Sequence, residues 1–282
     1  MKKLFTLVIF ISSFSIAQNF VYSGSIGKFN KASSFYIAAI GKIYITDTGD
    51  NEVISMDTLG NKLKTFGGYG WGENSFDHPA DVFADPLTVY VADKNNHRIK
   101  RFDRNLNFIS SLYTRESDDP AERFGYPLSC ATANQGDLYV VDSEDKRIIK
   151  FDNFGNFKQN FGGLDAGNYM LNDPKQLAIS ADNSAFIIDG SEVVVFDQFG
   201  NGIKKINFQK TLNSIRILFN KLIITTEDKI YFVNLNSIDQ KLSELKLIGL
   251  EGKPQVVSAI LLGNNLYVLS ADSILIFKQV VN

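Results

Sequence analysis

The sequence contains few residues of the kinds that build covalent or metal-based sites. It has one cysteine, Cys130, and two histidines, His78 and His97, among 282 residues. A single cysteine excludes an internal disulfide and any metal site made of several cysteines. Zinc needs several His or Cys ligands converging on one ion, so these three residues predict no zinc site. We interpret Cys130 as a small buried apolar side chain.

Charge of one sign is also lacking, and long apolar runs are absent after the first eleven residues. The chain has 29 Lys and Arg against 31 Asp and Glu, a formal net charge of −2. Without a basic field, no nucleic-acid partner is expected. The basic stretch "HRIKRFDR" (97–104) covers a single repeat, and we interpret it as a solvated strand end. No membrane span is expected in the mature chain.

The N-terminus has the pattern of an export signal. Lys2 and Lys3 precede the short apolar stretch "LFTLVIFI" (4–11), and the small residues Ser15 and Ala17 precede a cleavage point at Gln18. This pattern predicts a signal peptide over 1–17, a mature domain over 18–282, and a periplasmic or extracellular location. An uncleaved anchor and a buried first strand are the alternatives.

Aromatic residues and glycine are abundant, and their distribution favours β-structure. The chain has 23 Phe, 11 Tyr and 21 Gly, with frequent runs of Val and Ile. A mature chain of about 265 residues is long enough to bury a large core, which must stabilise it without disulfides.

One sequence frame recurs along the chain. In "YITDTGDNEVISMD" (44–57), "VADKNNHRIKRFD" (91–103) and "YVVDSEDKRIIKFD" (139–152), an apolar run ends in Asp, a polar turn follows, and a second run ends in Asp. Weaker copies occur at 186–197, 223–234 and 267–278, so the corresponding positions are 47, 93, 142, 189, 226 and 270. A period of 37 to 49 residues made of short strands predicts propeller blades.

A turn follows the second aspartate of the frame. In "DTLGN" (57–61), "DNFGN" (152–156) and "DQFGN" (197–201), Asp bonds to downstream backbone and Gly supplies the residue with positive φ. In "DRNLN" (103–107), Leu106 replaces that glycine, so we expect a remodelled or strained turn.

Linkers that end in apolar-x-x-Pro separate the repeats at 66–79, 115–127 and 161–174. Each repeat then holds four strands, which in the second repeat are expected at 80–85, 88–93, 98–103 and 108–114. The predicted fold is all-β, a six-bladed β-propeller of four-stranded antiparallel blades. The sixth repeat ends before its fourth strand, so "NFVYSGSIG" (19–27) is expected to close the last blade and leave no open edge.

The stretch 67–103 closely resembles the NHL repeat, named for an Asn-His-Leu tripeptide. Asn96 and His97 occupy the name-giving positions, and Arg98 stands where Leu can stand. The resemblance is strong over 34–163, moderate in the fourth repeat and poor in the last two. It implies a six-bladed propeller used mainly as a binding platform. Some relatives bind RNA or proteins, one related group is a metal-dependent amidating lyase, and lactonase or esterase propellers exist at greater distance.

Antiparallel alternation places the linkers and the turns between second and third strands at one end of the propeller. We call this end the loop-rich face and expect it to bind ligands. Within it, the loop "GGYGWGENSFDHP" (67–79) carries Tyr69 and Trp71 among glycines, a composition suited to protein or glycan contact. The alternative is that Trp71 folds back as a plug between the first two blades. The predicted ligand-binding residues are Tyr69, Trp71, Asp81, His97, Arg115, Tyr169 and Gln176.

Two residues after the linker prolines stand Asp81, Ser129 and Gln176, at the expected start of the central channel. The last two repeats place Ile215 and Val256 near the same level. One carboxylate is too few for calcium, which takes six to eight oxygen ligands. We therefore expect no cofactor, no metal ligand and no catalytic residue, and treat a calcium ion as possible but unsupported.

The sequence as a whole favours an exported, monomeric, non-enzymatic propeller that acts as a binding or scaffold module for a protein or glycan partner. The competing hypothesis is a metal-dependent propeller enzyme, lactonase- or esterase-like or amidating-lyase-like, with its site at the central channel. A third is a sensor or accessory subunit of a surface or secretion complex.

Overall fold

The computed structural model describes residues 18–39, 41–237, 240–252 and 254–280, and these residues are almost entirely β-strand and turn. The predicted signal peptide lies outside the described residues. The first strand, β1, spans Gln18–Ile26, and two single-turn 3₁₀ helices span Lys94–Asn96 and Gly167–Tyr169. In this part of the chain, no helix is long and apolar enough to cross a membrane.

Residues 32–207 form four separate sheets, each made of four consecutive antiparallel strands. The first two sheets comprise β2 Ala32–Ile37, β3 Ile43–Asp47, β4 Glu52–Met56 and β5 Lys62–Gly67, then β6 Pro79–Ala84, β7 Thr88–Asp93, β8 Arg98–Asp103 and β9 Phe108–Leu112. The next two comprise β10 Pro127–Thr132, β11 Leu138–Asp142, β12 Arg147–Phe151 and β13 Phe157–Phe161, then β14 Pro174–Ile179, β15 Ala185–Asp189, β16 Glu192–Phe196 and β17 Gly202–Asn207.

The remaining strands form one eight-stranded sheet, whose order is β18-β19-β20-β21-β1-β24-β23-β22. Its strands besides β1 are β18 Ser214–Leu218, β19 Lys221–Thr225, β20 Ile230–Asn234, β21 Ser243–Ile248, β22 Ser258–Leu262, β23 Asn265–Leu269 and β24 Ile274–Gln279. As predicted, β1 pairs antiparallel with β24, with Phe20 opposite Gln279. It also pairs in parallel with β21, a contact that the repeats do not predict. This second pairing joins the last two repeats in one sheet.

The first strand of each repeat contacts the first strand of the next, and β22 contacts β2, so these strands close a ring. The middle strands β7, β11 and β15 are buried along their whole length, whereas the outer strand β5 alternates between exposed and half-buried residues. Neighbouring sheets pack face to face. Phe66 of β5 and Phe102 of β8 meet edge to face, with ring centroids 4.8 Å apart. This packing explains the nearly continuous apolar runs of the middle strands.

The first aspartates of the frame are structural. Asp47, Asp93, Asp142 and Asp189 each end the second strand of a separate sheet and are buried. Each accepts a backbone N–H from the preceding linker, at distances of 2.7 to 3.1 Å. These bonds tie every linker of the four separate sheets to the strand beside it and satisfy buried backbone donors.

The second aspartates hold the turns that follow. Asp57, Asp103, Asp152 and Asp197 each accept two N–H groups and the side-chain amide of an Asn four residues later. The turn of the second repeat is strained as expected, since Leu106 has a φ of 56°. Its side chain is fully buried, which offsets a cost of about 1 kcal/mol for the left-handed backbone.

Candidate binding face and central ring

The glycine-rich loop between β5 and β6 is the most exposed aromatic feature of the loop-rich face. Tyr69 and Trp71 are 70% and 75% exposed. The alternative that Trp71 folds back between sheets is therefore wrong. Gly67 has a φ of 128°, and a Cβ there would lie 2.7 Å from the carbonyl oxygen of Asn51. Only glycine fits this close approach, and it allows the chain to turn outward.

Arg98 of β8 supports this loop from below. Its Nε donates to Asp93 at 2.7 Å, and its Nη1 donates to the carbonyl of Trp71 at 2.9 Å. Its Nη2 donates to the carbonyls of Gly72 and Ser75 at 2.9 and 3.0 Å. One guanidinium thus fixes three backbone carbonyls, and the buried Asp93 orients it.

Lys100, two residues further along β8, completes the support. It is 0% exposed, and its Nζ donates to the carbonyls of Glu73 and Ser75, each at 2.6 Å. The ammonium also lies 4.5 Å from the centre of the Phe76 ring. Burial and the nearby Arg98 charge lower the pKa of Lys100 to about 8. The interpretation of "HRIKRFDR" as a solvated strand end is wrong for these two bases, because they bind the loop above them.

His97 and Arg115 are brought together on the loop-rich face. The Nδ1 atom of His97 accepts the backbone N–H of Tyr126 and a guanidinium N–H of Arg115, each at 3.1 Å. Two donors at Nδ1 require the proton on Nε2, so the ring is neutral. Burial, and then the Arg115 charge, lower the pKa of His97. Arg115 also pairs with Glu144 at 3.0 Å, so His97 holds a linker in place.

Tyr169 lies at the edge of the fourth separate sheet. Its ring packs over Gly202 and against Phe196, and its hydroxyl donates to the carbonyl of Ile203 at 3.2 Å. A Cβ at position 202 would lie 2.0 Å from the ring. The structure thus places Tyr169 in a half-buried packing role, away from the contacts that fix Trp71.

Asp81 and Gln176 belong to a buried polar cluster, which we call the central ring. The Asp81 carboxylate is 1% exposed. It accepts hydrogen bonds from the hydroxyls of Ser34 and Ser129, each at 2.5 Å, and from the Gln176 amide at 3.1 Å. The guanidinium of Arg216 lies 2.6 Å from it. Residues from four other repeats therefore meet at the carboxylate of Asp81.

The central ring continues into the eight-stranded sheet through Ser214 and Ser258, whose hydroxyls are 2.5 Å apart. The prediction of Ile215 and Val256 at this level is wrong. In the separate sheets a bulge shifts the register after Ala32 and after the first-strand prolines, but β18 and β22 pair without it. Counting along the chain from the end of the linker therefore gives the wrong ring residues in the last two repeats.

Arg216 is the cationic residue of the ring, and sequence reasoning missed it together with Ser34, Ser214 and Ser258. It is 3% exposed, and its charge neutralises the one carboxylate of the ring. Calcium needs many free oxygen ligands, whereas the Asp81 oxygens are already engaged by four side chains. The ring does not fit a calcium ion. Within the described residues, no three His, Cys, Asp or Glu side chains are grouped as a metal site requires.

Comparison with known proteins gives distant relatives. No family model matches the chain. The chain is 28% identical over 152 residues to Protein brain tumor of Drosophila melanogaster, and 25% identical over 151 residues to B-box type zinc finger protein ncl-1 of Caenorhabditis elegans. Each match covers 52% of this chain but only 14% and 17% of those proteins, so the chain spans about a sixth of their length.

Solved structures establish the fold class. Virginiamycin B lyase from Staphylococcus aureus, solved with quinupristin, superposes with a TM-score of 0.64 and 12% identity, over 91% of this chain and 99% of that one. A chain of the nidogen/laminin complex superposes with a TM-score of 0.60 and 14% identity, over 76% of this chain and 80% of that one. With the ring of first strands, these likenesses show that the fold is a β-propeller.

Proposed function

We propose that this chain is a six-bladed, NHL-like propeller that is exported and binds a protein or glycan partner through its loop-rich face. The blade count rests on six serial first strands that close one ring and on six ring residues at equivalent levels: Ser34, Asp81, Ser129, Gln176, Ser214 and Ser258. The eight-stranded sheet is then two blades joined by the parallel pairing of β1 and β21.

The observation that carries the binding proposal is the fixed loop beneath Tyr69 and Trp71. Exposed aromatic side chains lose little entropy on binding when the backbone beneath them is already fixed. Arg98 and Lys100 provide that fixation through five short hydrogen bonds to loop carbonyls. Trp and Tyr are enriched among the residues that dominate interface energies. A structurally similar chain comes from a nidogen/laminin complex, which supports a protein partner.

The test is co-purification of cross-linked partners from the cell envelope, with wild-type protein and with Trp71→Ala. We expect the partner to be lost with Trp71→Ala, since truncation of a central aromatic residue commonly costs about 2 kcal/mol or more. Leu164→Ala is the matched control, because Leu164 is 93% exposed in the corresponding linker of another repeat. A partner retained equally by both variants contradicts the proposal. A glycan array with the same variants tests the second partner class.

Export is tested on the same material. The mass of the protein recovered from outside the cytoplasm should correspond to a chain that begins at Gln18. Recovery of the full chain in the cytoplasm contradicts the proposed signal peptide and location.

The alternative, a metal-dependent propeller enzyme, is favoured by one observation, the fold likeness to virginiamycin B lyase. Against it, Arg216 engages the central carboxylate, and His97 is committed to Tyr126 and Arg115. Metal analysis of the purified protein separates the two hypotheses. One tightly held calcium or zinc ion per chain contradicts the binding-module proposal.

A further inference from the structure

A cavity of about 720 Å³ opens at the end of the propeller opposite the loop-rich face. It lies among the turns that join first and second strands, and residues of five repeats line it. Its volume falls within the roughly 300–1,000 Å³ that is usual for small-molecule sites. The candidate binding residues Tyr69 and Trp71 lie at the other end, so this cavity is separate from the proposed binding face.

The walls are apolar and aromatic. Tyr36 and Phe83 stand two residues beyond Ser34 and Asp81 on the same strands, and their rings lie 4.8 Å apart. The Tyr36 ring also lies 5.9 Å from the guanidinium carbon of Arg216, so the inner end of the cavity adjoins the central ring. Aromatic walls over a fixed polar base provide a preformed surface for a flat apolar group.

Two apolar side chains project beside the opening. Leu87 is 73% exposed and Phe219 is 61% exposed, and both line the cavity. Phe219 and Asn220 have φ values of 49° and 57°, as the two-residue hairpin turn between β18 and β19 requires, and this turn leaves the Phe219 ring facing solvent.

The charge of the cavity is negative. Among the described lining residues, Asp85 is the only side chain that is charged at neutral pH. Its Oδ1 accepts the N–H groups of Leu87 and Thr88 at 2.8 and 2.7 Å. In the described part of the chain, no hydrogen bond reaches its Oδ2. A carboxylate oxygen beside aromatic rings is the combination that recognises organic cations.

We propose that this cavity binds a small organic cation that carries an aromatic or alicyclic group. The ring of the ligand lies between Tyr36, Phe83 and the exposed Phe219, and its ammonium group faces Asp85. This site does not depend on the proposed partner of the loop-rich face, so either proposal can fail alone.

The test uses three probes of similar size: phenethyltrimethylammonium, neutral 2-phenylethanol and anionic 3-phenylpropanoate. Binding is measured by ligand-observed NMR and calorimetry on the whole protein. We expect the cation to bind with a Kd in the range of about 0.1–1 mM, and at least about fivefold more tightly than the neutral probe. No binding by the cation, or equal binding of all three probes, overturns the proposal.

Variants locate the site. Asp85→Asn keeps an oxygen acceptor for the Leu87 and Thr88 amides but removes the charge. It should weaken binding of the cationic probe at least about fivefold and leave binding of the neutral probe unchanged. Phe219→Ser should weaken the binding of both the cationic and the neutral probe about threefold or more. Phe199→Ser is the matched control, since Phe199 is also exposed on a turn but does not line the cavity. An equal loss of probe affinity in Phe199→Ser and Phe219→Ser overturns the assignment of the site to this cavity.

Discussion

The four separate sheets hold their linkers with buried aspartates, whereas the eight-stranded sheet has Thr226 and Ser270 at the corresponding positions. These hydroxyls donate to Asp228 and Asp272, within their own turns. The linkers of the last two repeats therefore lack this tie, and β1 joins their strands instead. A propeller can therefore be held by short local bonds in one part and by one distant strand in another.

The largest expected effect comes from the bond that connects the two regions, between Arg216 of β18 and Asp81 of β6. Arg216→Met leaves a buried carboxylate without its cation and should lower the free energy of unfolding by about 3–5 kcal/mol. Urea denaturation followed by circular dichroism measures it. The double variant Asp81→Asn/Arg216→Met should recover part of the loss. A cost below about 1 kcal/mol for Arg216→Met means that the ring does not couple the regions.

The aspartate ties allow a direct contrast. Asp189→Ala leaves the N–H groups of Asn172 and Asp173 unpaired and should cost about 2–3 kcal/mol. Ser270→Ala, at the corresponding position of the eight-stranded sheet, should cost about 1 kcal/mol or less, since its hydroxyl serves only its own turn. Equal costs in denaturant titrations contradict the distinction between the regions.

The buried ammonium of Lys100 gives the separate sheets a dependence on alkaline pH. Because its pKa falls from 10.5 to about 8 on folding, the unfolded chain binds more protons between these values. The stability contribution of this group therefore rises with pH from about 8 to 10.5, by up to about 3 kcal/mol in total. Lys100→Met should remove this rise and speed hydrogen exchange in residues 68–75. An unchanged pH profile in Lys100→Met contradicts the assignment.

The smallest effect is expected at acidic pH. The pKa of His97 is lowered on folding, so the unfolded chain binds more protons below about 6.5, and stability falls as pH drops through the folded pKa. Protonation removes the acceptor for Tyr126 and Arg115 and should expose the 115–127 linker to hydrogen exchange. His97→Gln should abolish the change. The eight-stranded sheet contains no histidine, so the linker between β21 and β22 should show no such change.

Most strands of the second repeat could be predicted from the sequence, because the repeat period and the turn residues are features of the local sequence. The expected strands at 88–93 and 98–103 coincide with β7 and β8, and 80–85 is one residue late for β6. The ring was harder to predict. Ser214 and Ser258 lie in strands that lack the bulge of the first four repeats, and Arg216 acts across 135 residues of sequence. Arg98 and Lys100 reach carbonyls 23 to 28 residues upstream, which a list of repeat positions does not reveal.

The pairing of β1 with β24 sets the order of events during synthesis. Phe20 must find a partner at Gln279, about 260 residues later, so the ring cannot close until the final strand has been made. The entropy of closing so long a loop grows only with the logarithm of its length, but the search for so distant a partner is slow. Until β1 has paired with them, β21 and β24 each present an unpaired edge that can join another chain. We therefore expect the last step of folding to be the one most exposed to aggregation and to chaperones.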